Sequence, residues 1–191
     1  DTLTLKDRIA HHFTTGLSTV EVSSQNAEKL NQEFRKFHQN KDFKYKSYVL
    51  KGEKDKLDAL KSLLEKHNIE YGDLTSGSYK GHSYGSGSNG SLSINKNGMV
   101  VSTDQPKGTL VKVLFEPNAK LSDSLTYDIT AWSLPYAYGL DAIASTSAVA
   151  SQNVQETVPS SNIASGSYAY LTNWNSMDDA RFLAALLNEG I

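Results

Sequence analysis

KYKSYVLKGEKDKLDALKSLLEKHNIEYG, residues 44–72, decides the fold. Tyr45-Lys46-Ser47-Tyr48-Val49-Leu50 alternates as a strand does. Residues 53–67 then place Leu57, Leu60, Leu63 and Leu64 on one face of a highly charged helix, and Ile69-Glu70-Tyr71 reads as the next strand. Strand, helix of about four turns and strand, joined by short turns, is the pattern of a parallel β-α-β crossover. The fold class is α/β, a mixed sheet with flanking helices.

Upstream, Ala27, Leu30, Phe34 and Phe37 fall at helical spacing, with Ser24 or Asn26 able to cap the start. Downstream, residues 75–90 hold Gly and Ser and no apolar side chain beyond Tyr79 and Tyr84, so a solvated loop without packed structure is expected there. Leu92-Ser93-Ile94 and Met99-Val100-Val101 flank Asn97-Gly98, the dipeptide of a tight hairpin. Residues 109–115 have strand propensity, but Asp104, Pro106 and Pro117 frame them as a helix. Residues 168–172 read as a strand. Ser176 and Asp179 form a capping-box pattern, and a helix over 180–188 closes at Gly190. The organisation expected is an α/β domain over 1–143, a Ser/Thr/Ala-rich linker or surface excursion over 144–167, and a strand–helix unit over 168–191.

The chain has 191 residues, enough for one main core, and its net charge of −2 provides no basic field for nucleic acid or a membrane surface. No apolar run approaches the roughly 20 residues of a membrane helix, and the N-terminal residues do not read as a signal peptide. The absence of an initiator Met fits a mature product or an excised piece. Cysteine is absent, which excludes disulfides, thiolate metal sites and cysteine nucleophiles; it suits an exported bacterial protein and is equally tolerable in a cytosolic one.

Two catalytic patterns overlap in residues 80–91. Gly81-His82-Ser83-Tyr84-Gly85 spells the G-x-S-x-G of a nucleophilic serine, and residues 85–90 spell the G-x-G-x-x-G of a dinucleotide loop. The serine motif needs a buried strand before it, a helix after it and a histidine further on. The histidines are His11, His12, His38, His67 and His82, all before Ser83. The glycine motif needs a helix after it, whereas residues 91–94 read as strand. His67-Asn68-Ile69-Glu70 spells the H-x-x-E of a zinc peptidase, but no histidine beyond His82 can complete a site, and His67 ends a helix whose dipole it favours. Adjacent His11 and His12 project to different sides and do not share one metal.

The most distinctive segment is Tyr127-Asp128-Ile129-Thr130-Ala131-Trp132-Ser133-Leu134-Pro135-Tyr136-Ala137-Tyr138-Gly139. It resembles a "YDxTAWSLPxAYG" signature found after the catalytic domain in long bacterial zinc carboxypeptidases of the carboxypeptidase A superfamily. Residues 98–106 and 110–117 resemble the "GxxVVxxxQP" and "LLEP" segments of those proteins in the same order. Residues 8–24 fit the helix emerging from the peptidase domain, and residues 170–174 resemble the start of a glutamine amidotransferase-like domain.

The resemblance implies an accessory or scaffolding region with no zinc site of its own and inactive alone. Zinc belongs to the catalytic domain of the parent carboxypeptidase, which is also the implied partner, and the setting is secreted or periplasmic. The alternative is an independent peptide- or glycan-binding module. Tyr127, Trp132, Tyr136 and Tyr138 are the candidate cluster: buried as core under the first reading, exposed as an interface under the second.

Overall fold

The computed structural model describes residues 3–39, 42–118, 133–152, 168–169 and 171–191. The chain divides into two units, Asp1–Asn40 and Lys41–Ile191. The first carries α1 (Leu5–Gln25) and α2 (Ala27–Gln39). Thr4 and Asp7 close a capping box at the start of α1. The bonds from the Thr4 hydroxyl and N–H hold the Asp7 carboxyl below its ordinary range.

The second unit is built on a six-stranded sheet. Its strands are β1 (Ser47–Lys51), β2 (Gly72–Leu74), β3 (Gly77–Ser83), β4 (Asn89–Ile94), β5 (Gly98–Ser102) and β6 (Asp141–Ser145), in the spatial order β2-β5-β1-β6-β3-β4. Every neighbouring pair is antiparallel. The crossover from β1 through α3 (Lys54–Lys66) to β2 is present, and β1 and β2 run parallel. β5 lies between them and opposes both. β1 does not simply alternate, because Ser47 to Leu50 are buried on both faces.

One face of the sheet meets helices. Tyr48, Leu50, Met99, Val101, Ala142 and Ala144 pack with Leu57, Leu60 and Leu64 of α3 and with Val111 and Phe115 of α4 (Gly108–Phe115). Leu57, Leu60 and Leu64 bury the stripe expected for α3. The other face carries a smaller cluster in which Val49, Leu74, Ile94 and Val100 pack with Tyr79, Leu92 and Val149. Two links fasten α3 to the chain that follows it: Lys61 pairs with Asp73 at 2.7 Å, and the Tyr71 hydroxyl donates to Glu65 at 2.6 Å. That bond to a carboxylate is the main reason the Tyr71 phenol is raised to about 12.

Five local expectations are corrected. The stretch over 75–90 contains β3 and the start of β4, paired from Gly77↔Ile94 to His82↔Asn89, so the hairpin of this fold lies here. Small residues are what close approach demands. A Cβ on Gly81 would stand 2.3 Å from the carbonyl oxygen of Ala144 in β6, and Tyr84 at the end of β3 is buried. Asn97-Gly98 does make a turn, with Asn97 at φ 50°, but β4 and β5 on either side of it do not pair with each other.

Ile69-Glu70-Tyr71 precedes β2 rather than forming it. Glu70 bonds instead to the Gln105 side chain, whose carbonyl accepts the Glu70 N–H at 2.8 Å and whose amide donates back to the Glu70 carbonyl at 2.9 Å. Residues 144 and 145, read as the start of a linker, are the end of β6 between β1 and β3, and residues 153–167 lie outside the described residues. The described residues of 168–172 form no strand, and Tyr168 and Leu171 are fully exposed.

The helix after them, α6 (Met177–Asn188), forms as expected, with the Ser176–Asp179 capping box and Gly190 at φ 76°. α4 likewise takes the helical reading of 109–115.

Gly81→Ala should therefore lower stability by about 1–3 kcal/mol or more, because the new methyl meets backbone. Gly85→Ala, where a Cβ meets nothing within 4 Å, should change it by less than about 0.5 kcal/mol. Urea unfolding of both variants checks the pair.

Candidate functional site

Aromatic side chains gather where β1, β3 and α4 meet. The Tyr48 ring stacks on Phe115 at 5.4 Å between centroids, and Tyr45 stands 6.2 Å from Tyr48 and 6.4 Å from the His82 ring. Tyr84 directs its hydroxyl to the Phe115 carbonyl at the end of α4, and its ring meets Tyr136 at 5.3 Å. The Tyr136 hydroxyl returns a bond to the Tyr84 carbonyl at 3.1 Å. Tyr84, just after β3, and Tyr136 therefore tie the C-terminus of α4 to the short helix α5 (Leu134–Ala137).

Of the candidate cluster, Tyr136 and Tyr138 fall in the described residues, whereas Tyr127 and Trp132 lie outside them. Leu134 and Pro135 are buried, and Tyr138 packs half-buried on the core. Tyr136 keeps 47% of its surface exposed while bonded to Tyr84. Tyr45, Tyr48, Tyr84 and Phe115 were missed as members. Tyr84 sits in a Gly/Ser-rich stretch whose composition hides its burial, and Tyr45 and Tyr48 read only as strand residues.

Burial, reinforced by Glu116 and Tyr45, raises the Tyr48 phenol well above its ordinary value. Burial likewise raises Tyr84, with Tyr48 adding to it. Neither phenol is poised to act as an acid or base near neutrality. A recess of about 200 Å³ opens beside them, lined by Phe43, Lys44, Tyr45, Tyr48, Lys112, Glu116, Pro117 and Asn118. The Lys44 ammonium lies 4.8 Å from the centre of the Tyr45 ring, and Lys112 pairs with Glu116 at 3.6 Å.

The motif residues are placed elsewhere or in other roles. His82 is in β3, paired opposite Ala144. After Ser83 the chain turns, with Gly87 donating to the Ser83 carbonyl at 2.9 Å, and re-enters the sheet as β4. No helix N-terminus follows either glycine pattern, so neither an oxyanion nor a pyrophosphate meets one here. His67 is the C-cap of α3, and His11 and His12 are exposed on α1. Among the described residues, no three His, Asp or Glu side chains come together as a metal group. No helix among them is long and apolar enough to cross a membrane.

Comparison of the chain with family models, curated proteins and solved structures gave no match in any of the three.

The raised phenols carry a sign. Tyr48 and Tyr84 are held protonated by the fold, so their contribution is complete below the unfolded tyrosine value of about 10 and is lost as pH rises toward their folded values. In an alkaline titration followed by phenolate absorbance, these two of the ten tyrosines should ionise only as the chain unfolds. Replacing each with Phe should remove amplitude from that late step alone.

Proposed function

We propose that the chain is a non-catalytic accessory or scaffolding region of a zinc carboxypeptidase, with zinc and chemistry supplied by the parent's catalytic domain. The resemblance of residues 127–139 to the signature that follows such catalytic domains motivates the reading. The observation that carries it is the use made of the signature's described half. Leu134 and Pro135 are buried, Tyr138 packs on the core, and Tyr136 spends its hydroxyl on the Tyr84 carbonyl. Residues used this way hold α4, α5 and β3 together, which is a scaffold's work and leaves few groups free to grip a ligand. A secreted or periplasmic location belongs to the same proposal, and the absence of cysteine is compatible with it.

A second reading, a peptide- or glycan-binding module, is favoured by one observation. Tyr136 is half exposed, and the recess sets the polar groups of Lys44, Lys112, Glu116 and Asn118 beside Tyr45 and Tyr48.

Two measurements separate the readings. The gene upstream of Asp1 should encode a domain with an H-x-x-E motif and a later histidine, and an upstream stop codon in its place would sink the accessory role. Tyr136→Ala should lower stability by about 1–2 kcal/mol, from half a ring of burial and one hydrogen bond. An unchanged urea midpoint combined with lost retention on a peptidoglycan or peptide column would favour the binding module.

A further inference from the structure

Neither α1 nor α2 buries a side chain. Only Asn26 between them leaves helical geometry, and the bonding runs through it. Its N–H reaches the Val22 carbonyl at 3.1 Å, and the Leu30 N–H reaches the Asn26 carbonyl at 2.9 Å. Residues 5–39 thus make a nearly continuous helical run about 50 Å long.

Along it, positions 9, 13, 16, 20, 23, 27, 30, 34 and 37 alternate steps of four and three. They hold Ile9, Phe13, Gly16, Val20, Ser23, Ala27, Leu30, Phe34 and Phe37, with no charged residue among them. This is the seam of a coiled coil sustained for about four heptads. Its large members are open to solvent: Phe13 is 70% exposed, Val20 68% and Phe34 66%. Together with Ile9, Leu30 and Phe37, these give the seam an exposed apolar surface on the order of 800 Å² per copy, whereas a monomer rarely leaves more than a few hundred Å² in one patch. It also matches what each partner contributes to a standard interface of about 1,600 Å² in total.

We propose that this seam is a dimerisation surface and that its occupant is the same seam of a second copy. A repeat of 3.5 residues keeps a narrow stripe in register along a partner helix of the same period, while a helix lying on a domain face is served by a broader stripe of period 3.6. An uncharged seam meets itself without like-charge repulsion. Gly16, Ser23 and Ala27 in the middle leave room for the two backbones to approach. The assignment is independent of the proposed function.

Light scattering after gel filtration, on the whole chain across a range of concentrations, tests it. The expected mass is twice the 20.9 kDa of one chain. The double variant Phe13→Asp/Phe34→Asp should run at one chain mass, while Lys29→Asp, off the seam, should stay dimeric. The thermal transition of the sheet unit, read from near-ultraviolet tyrosine signals, should persist in all three proteins and shows that the double variant is folded. A wild-type chain of single mass at every concentration overturns the proposal and leaves the seam to a different polypeptide. A dimer that survives the double substitution overturns it as well.

Discussion

Burial of β1 on both faces is the constraint on which the sheet unit depends. Ser47 to Leu50 are bonded on one edge to β5 and on the other to β6, so no backbone group of the strand is left to water. Its side chains then divide the interior. Tyr48 and Leu50 start the core under the helices, and Val49 starts the smaller one on the opposite face. The Ser47 hydroxyl accepts from the Val149 N–H, and Thr103 donates to the Tyr45 and Lys46 carbonyls just before the strand. On that second face Val49 joins the cluster that takes in Tyr79, Leu92 and Ile94 of the β3–β4 hairpin.

Tyrosine hydroxyls do for the helical side what strand pairing does for the sheet. The buried Tyr84 phenol needs an acceptor, and the last carbonyls of a helix lack intrahelical donors. Tyr84 meets both needs at Phe115, and Tyr136 repeats the arrangement at Tyr84. The end of α4, the end of β3 and α5 are thereby joined at one point. Residues 134–138 around Pro135 thereby act as a clamp.

Glycine and glutamine handle the sites where regular pairing stops. Gly81 allows β3 to pass over Ala144, and at the start of α4 a Cβ on Gly108 would stand 2.2 Å from the Thr103 carbonyl oxygen. Gln105 bonds both the N–H and the carbonyl of Glu70, extending the hydrogen bonding beyond the three residues of β2.

By itself the sequence determined the elements whose signals are local. The leucines of α3 lie three and four apart, Ser176 and Asp179 cap α6 within one turn, and Pro117 ends α4, each through neighbours a few residues away. The parallel sense of β1 and β2 was legible for the same reason, since one helix between two strands reverses direction twice. Tertiary structure alone decided the rest. Residues 75–90 carry almost no apolar pattern, and they form strands because β6 and the lower face of β1 lie beside them. The insertion of β5 between β1 and β2, and of β6 between β1 and β3, depends on partners tens of residues away that no local period encodes. The aromatic site follows the same rule: Tyr48, Tyr84, Phe115 and Tyr136 span nearly 90 positions of chain, and only the packing of α4 on the sheet brings their rings together.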